Sequence, residues 1–237
     1  MSGLKTQGIF LRDRDVALGY PGRRLVSSLS GDYGRGDRWV VVGPNGAGKS
    51  TFLRAVLDPS LVQSGSRQCS VAPARIAWLT QMPKLSWSVP CTVREFLLAS
   101  LAVVKSSWRA VSPADEKRVD EVLARVGLSD RAHQAIAQLS GGQAQKLLFG
   151  RALLLNAEIL LLDEPFSAVD TASKKDLWAL LEECRPRTLQ ILVLHDPFDI
   201  IAAQAPVLRL HEGHSHILTP EEFRRVQERN FNVVPSC

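Results

Sequence analysis

No apolar run in this chain reaches the roughly 20 residues that a membrane-spanning helix needs. The longest of consequence, Phe96 to Val104, falls well short of it, so no membrane span is expected. Met1 to Gln7 is polar and lacks an apolar stretch followed by small residues, so no secretory leader is expected and the cytosol is the default compartment. Cysteine is sparse: Cys69, Cys91, Cys184 and Cys237 are scattered with no C-x-x-C pair, which argues against a disulfide framework and a structural zinc site and leaves packing or bystander thiols. Internal repeats, sustained heptads and low-complexity tracts are also missing, which disfavours long coiled coils. The net charge of +5 is modest and its basic residues are spread along the chain, so nucleic-acid binding gains little support. Attraction to an anionic membrane leaflet and attraction to nucleotide phosphates account for that surplus equally well.

What the sequence does have is enough apolar material, 45% of 237 residues, for a substantial core in one large domain or two small ones. Short β-rich runs come first, Ile9 to Leu11 and Trp39 to Val42, separated by Gly and Asp turn clusters. From Thr92 to Gln138 the punctuation is helical. Thr92 with Glu95 has capping-box spacing, Ser112-Pro113 sets a cap before a first-turn proline, and Gly127 sits where a helix end favours a left-handed residue. Then Ile159 to Leu162 and Leu189 to Leu194, two short apolar runs, flank a helix-like stretch from Thr171 to Glu183, the alternation of a parallel sheet. An α/β core carrying a helical insertion is expected.

The sharpest local signal is Gly43-Pro44-Asn45-Gly46-Ala47-Gly48-Lys49-Ser50-Thr51, directly after the apolar run Val40 to Val42. In a strand, glycine loop and helix start, the glycines let successive N–H groups turn inward onto phosphate oxygens, with the helix N-terminus adding positive charge. Lys49 then reaches the β and γ phosphates and the Ser50 hydroxyl ligates Mg²⁺, which points to a nucleoside triphosphatase or kinase. Ile159 to Leu162 reads as a strand buried on both faces, delivering Asp163 and Glu164 at its C-terminal edge. Asp163 there is expected to hold the Mg²⁺ shell, and Glu164 to orient or deprotonate the attacking water. Leu139-Ser140-Gly141-Gly142-Gln143, upstream, places a Ser-Gly-Gly tip at the start of an amphipathic stretch through Leu155. By itself Ser140 is as well explained as a helix cap.

Taken together, the glycine loop, the LSGGQ run at Leu139 to Gln143 and the four apolar residues before Asp163-Glu164 resemble the ATP-binding cassette family, over nearly the whole chain from Tyr20 to about Pro220. The resemblance implies an ATPase with ATP and Mg²⁺ as cofactors. It implies a single domain over 1–237: a P-loop NTPase core with a mainly parallel sheet, an N-terminal antiparallel β subdomain and a helical signature subdomain at about 92–155. It also implies a pair of chains, identical or paralogous. Ser140, Gly141, Gly142 and Gln143 of one chain close on the γ-phosphate held by the other, and Asp170 lies in the loop that communicates across the dimer. Tyr20 matches the aromatic that stacks on adenine, although Tyr20-Pro21-Gly22 also reads as a plain turn. Gln81 matches the glutamine contacting Mg²⁺ and the attacking water, and His195 the histidine that hydrogen-bonds the γ-phosphate and Glu164.

Expected partners are integral membrane permease subunits, met through the surface from Gln81 to Ser100 with Trp87 as a contact, and an extracytoplasmic substrate-binding protein. The expected location is the cytoplasmic face of the cell membrane. Asp163 to Phe166, Val169 to Thr171, Asn156 to Glu158 and Trp87 to Val93 look like the zinc and manganese importer subgroup; a transporter of other cargo and a soluble cassette ATPase of translation or DNA repair are the alternatives. Ala157, Pro197 and Ala144 depart from the commonest family pattern, bearing on cargo and not on hydrolysis. His211, His214 and His216 invite a metal reading, but a late hairpin around Gly213 is expected to put alternate residues on different faces, and no metal ligand is assigned there.

Overall fold

The computed structural model describes residues 8–79, 90–105, 111–167 and 169–231. Through its first half the chain runs β1 (Ile9–Tyr20), β2 (Arg23–Gly34), β3 (Arg38–Val42), α1 (Lys49–Arg54), β4 (Val62–Cys69), β5 (Ile76–Leu79), α2 (Val93–Lys105) and α3 (Pro113–Arg125). It continues through α4 (Gly141–Leu154), β6 (Ile159–Asp163), α5 (Thr171–Cys184), β7 (Leu189–Val193), α6 (Pro197–Ala202), β8 (Val207–His211), β9 (His214–Leu218) and α7 (Pro220–Phe231). One sheet is ordered β5-β6-β7-β3-β8-β9, parallel except for its last strand. The other is a three-stranded antiparallel sheet, β2-β1-β4. This is the α/β architecture with a separate antiparallel β unit that the resemblance implies.

Side-chain alternation in the parallel strands divides the interior into two cores. Ile159 and Leu161 of β6, with Leu189, Ile191 and Val193 of β7, pack with Phe52 of α1 and with Leu11, Val16 and Leu18 of the antiparallel sheet. Leu160 and Leu162, with Leu192, turn to the opposite face and join the helical residues Val119, Leu123, Leu147 and Phe149. Every residue of β7 is buried, and all of β6 but Asp163. A strand buried on both faces admits a polar residue only where its bonds are met, as at Gln190 of β7, which accepts from Arg38 and donates to the Leu181 carbonyl, so the unburied hydrophilic positions mark the edge where chemistry is possible.

The expected helix signals have physical counterparts. Glu95 accepts from the Thr92 N–H at 2.7 Å, and Ser112 forms a reciprocal capping box with Asp115. Gly127, at φ 67°, closes α3: its own N–H donates to the Ala124 carbonyl and the Leu128 N–H to the Leu123 carbonyl. Asn156, at φ 50°, ends α4 in the same way, with the Ala157 N–H donating to Ala152 at 3.1 Å. A proline at 157 could not make that bond, which gives Ala157 a local reason. Pro197 is the first residue of α6, where its missing N–H costs nothing, and Asp196 caps the helix through the Phe198 N–H.

The expectation of an amphipathic helix through Leu155 is corrected. α4 is buried on nearly every side, including Ala144, Leu147, Phe149 and Gly150, because α3 crosses so closely that a Cβ at Gly150 would lie 3.2 Å from Val122. No helix among the described residues is long and apolar enough to cross a membrane.

Candidate functional site

Three adjacent parallel strands, β6, β7 and β3, end at one edge, and the residues just beyond them form the candidate site. After β3 the chain turns through Gly43 to Gly48. A Cβ at Gly43 would fall 2.2 Å from the Leu210 carbonyl oxygen, and one at Gly48, φ 97°, would fall 2.9 Å from Val26. No larger residue fits at either point without moving backbone or core. Between them Pro44, Asn45 and Gly46 are exposed and Ala47 half-buried. Lys49 opens α1 only 8% exposed, and its ammonium donates to the Gly43 carbonyl at 2.8 Å and the Pro44 carbonyl at 3.0 Å. Burial holds the Lys49 ammonium below the usual lysine range, while the carboxylates of Glu164 and Asp163 pull it back up. Ser50 is exposed and Thr51 buried.

Asp163 is the last residue of β6 and pairs in register with Val193 of β7. The next residue, Glu164, has φ 51°, a left-handed backbone that a glutamate rarely adopts. It is pinned from both sides: its N–H donates to the Val193 carbonyl at 3.1 Å, and the Ser167 N–H donates to its carbonyl at 3.2 Å. His195, two residues past β7, brings Nε2 to 3.0 Å from Glu164 Oε1. A carboxylate only accepts, so this contact is a hydrogen bond when Nε2 carries a proton. Both side chains remain partly open, His195 at 43% and Glu164 at 30%. A cation, an oxygen-rich carboxylate pair and a histidine thus converge on one sheet edge, an arrangement suited to holding an anion and managing a proton beside it.

The remaining expected residues fall into other groups. Tyr20 ends β1, 40% exposed, beside the Pro21–Gly22 turn, two residues beyond the Leu18↔Val26 pair whose Val26 abuts Gly48. Ser140 caps α4: its hydroxyl accepts from the Gln143 N–H at 3.4 Å, and the Gln143 side chain accepts from the Ser140 N–H at 2.9 Å. Asp170 caps α5, accepting from the Ala172 and Ser173 N–H groups at 3.0 and 2.9 Å, and these bonds hold its carboxyl below the usual range. The two helix tips touch, since a Cβ at Gly142 would lie 2.9 Å from Ser173 Oγ. Gly142 is therefore tightly packed against Ser173 whatever else it contacts, a reason for a small residue that spacing alone did not expose. Gly141 and Ser140 are exposed beside it. No hydrogen bond or ion pair among the described residues joins Ser140, Gln143 or Asp170 to the glycine loop. Gln81 and Trp87 lie outside the described residues.

The hairpin expected around Gly213 is present, but the histidines do not fall on different faces. His211 pairs directly with His214, and Arg209 with His216, so all three histidines share one face of β8 and β9. The bulky apolar positions Leu208 and Leu210 take the other face and are buried, which sends the histidines outward. Among the described residues no group of three or more His, Cys, Asp or Glu side chains is arranged to hold a metal ion.

A family model described as ABC transporter matches residues 26–167, more than half of the chain. A "Probable metal transport system ATP-binding protein" of Chlamydia pneumoniae is 35% identical over 186 residues, covering 76% of this chain and 72% of that protein. The manganese transport system ATP-binding protein MntB of Bacillus subtilis is 31% identical over 188 residues, covering 76% and 74%. A nucleotide-free ATP-binding cassette from an ABC transporter superposes with a TM-score of 0.77 at 20% identity, covering 96% of this chain and 98% of that one. This chain belongs to the ABC transporter family, as an ATP-binding subunit that hydrolyses ATP.

Proposed function

We propose that two copies of this chain meet head to tail, each glycine loop holding one ATP against the Ser140–Gln143 tip of the partner copy, and that closure drives uptake of zinc or manganese through separate membrane permease subunits. The observation that carries the site is the convergence of Lys49, Asp163, Glu164 and His195 on one sheet edge, with His195 3.0 Å from Glu164. On binding, phosphate oxygens replace the Gly43 and Pro44 carbonyls around the Lys49 ammonium, and the exposed loop N–H groups take the remaining oxygens. Tyr20 stacks on the adenine ring. Glu164 takes the proton of the attacking water, while His195 keeps that carboxylate aimed and reaches the γ-phosphate.

Ser50 and Asp163 offer a hydroxyl and a carboxylate, the hard oxygen donors that suit Mg²⁺, with Gln81 as a third holder. When bound, that ion neutralises charge developing on the phosphates. Asp170 and Ser140 sit on touching helix tips, so a change at one partner's phosphate is felt at both caps.

Metal cargo rests on the relatives named above and on the Asp163–Phe166 and Asn156–Glu158 patterns. An extracytoplasmic receptor would deliver the ion, with this chain at the cytoplasmic face of the membrane. Reconstituted with its permease in vesicles, the chain hydrolyses ATP faster when the receptor is loaded with Zn²⁺ or Mn²⁺. Stimulation by neither ion, or by an organic substrate instead, overturns the cargo assignment.

Replacing Ser140 separates its two roles. Aspartate caps helices about as well as serine, so Ser140→Asp keeps the melting temperature within a few degrees. It also sets a carboxylate against the partner's triphosphate, and ATP turnover falls at least roughly tenfold, since like-charge juxtaposition across an interface costs several kcal/mol. Full turnover in S140D leaves Ser140 as a cap and nothing more.

A further inference from the structure

The geometry points to a second anion site at the opposite edge of the parallel sheet, binding a small phosphate ester with a compact apolar body. A cavity of about 310 Å³ opens where β5, β6 and β7 begin, next to Arg75, Glu158 and Thr188. Arg35, Arg75, Arg125 and Arg187 line it, drawn from four separate segments, and Phe149, Leu153 and Leu160 supply an apolar wall. All four arginines are exposed, so water screens their mutual repulsion, but their shared sign still favours an anion among them.

Only part of that charge is matched within the chain. Arg75 pairs with Glu158 and Arg125 with Glu183, each at 2.5 Å. Arg35 lies over the Phe10 ring at 5.5 Å, and Arg187 lies beside the buried Cys184 thiol. Among the described residues neither Arg35 nor Arg187 has a carboxylate partner. The Thr188 hydroxyl is already engaged, donating to the Cys184 carbonyl at 3.0 Å, so recognition of a ligand falls to the guanidinium groups. Their planar forks match the oxygens of a phosphate in bidentate fashion.

Size and lining narrow the ligand further. The volume sits at the low end of the roughly 300–1,000 Å³ typical of small-molecule sites, too small for a nucleoside triphosphate. A dianionic head answers the two unmatched arginines, and a small hydrocarbon or aromatic body covers the wall at Phe149 and Leu153. Construction favours permanence: the end of α4, locked by the Asn156 and Ala157 hydrogen bonds, forms one side. β6 and β7 run from this cavity to Glu164 and His195, five residues each and about 16 Å at roughly 3.3 Å per residue, so the two sites do not overlap.

The test is calorimetric titration of phenylphosphate into the full chain with its glycine loop saturated by ADP. Binding persists in the presence of ADP, and Arg35→Ala with Arg187→Ala weakens it by roughly tenfold or more, because two charge-assisted contacts are lost. ADP affinity in the double variant stays unchanged, which reports a folded protein and an intact nucleotide site. Phenylphosphate displaced by ADP, undetectable binding at millimolar concentration, or equal affinity in the double variant each overturns the site.

Discussion

Glu164→Gln is expected to lower ATP turnover by about 10²–10⁴-fold while leaving ATP bound, the span that removal of a positioned general base covers. The carboxamide has nearly the same shape, and its oxygen still accepts from His195 Nε2, which lies 3.0 Å away in the native chain. The backbone does not depend on the side chain, since Val193 and Ser167 hold residue 164 in its left-handed conformation. What the amide cannot do is take a proton. The substituted chain should therefore accumulate as an ATP-bound dimer, seen as a doubling of mass in light scattering on adding Mg-ATP. His195→Ala, which removes only the group that aims the carboxylate, should reduce turnover less than E164Q does. Wild-type turnover in E164Q would take the base assignment away from Glu164, and a monomer with ATP bound would break the head-to-tail pairing.

Residues whose role has a local cause were legible before any coordinates. Apolar runs bounded by turn residues marked β3, β6 and β7, and caps marked α2, α3 and α4, because a strand buried on both faces and an unsatisfied helix end each dictate nearby residue types. The glycine loop belongs with them. Its glycines are read for phosphate, and packing gives Gly43 and Gly48 a further reason, since a Cβ there would fall 2.2 Å from the Leu210 carbonyl oxygen and 2.9 Å from Val26. Positions set by distant neighbours were not legible. Nothing in Asp163-Glu164-Pro165 announces φ 51° at the glutamate, which arises because β7 captures its N–H. Gly142 was assigned to ligand contact alone, since Ser173 is brought against it by a helix that comes 30 residues later. The late hairpin was legible, but the shared face of its histidines was not, because the His211↔His214 pairing across the turn sets it. The arginine cavity draws on residues 35, 75, 125 and 187, and no local window contains two of them.

The antiparallel sheet holds the other long-range surprise, and with it the largest expected effect on stability. Asp13 of β1 is 0% exposed, and Arg67 of β4 grips it with two bonds of 2.7 Å. The same guanidinium donates to the Phe52 carbonyl at 3.1 Å and lies 4.8 Å over the Phe52 ring. Phe52 belongs to α1, the helix that opens with Lys49 and Ser50, so this buried pair ties the three-stranded sheet to the base of the glycine loop. Asp13→Ala leaves a buried cation with no carboxylate, a change that typically costs about 3–5 kcal/mol. Against a total of roughly 5–15 kcal/mol, that consumes much of the margin. For a chain of this size it lowers the melting temperature by about 6–20 °C. Replacing both partners, Asp13→Leu with Arg67→Met, removes the stranded charge and should recover most of the loss in urea or thermal unfolding. If Asp13→Ala unfolds within about 1 kcal/mol of the parent, the pair is not what fastens the sheet to α1. If the double replacement is as unstable as the single, shape and the bond to the Phe52 carbonyl matter more than the charge, and the clasp on the glycine loop is Arg67 itself.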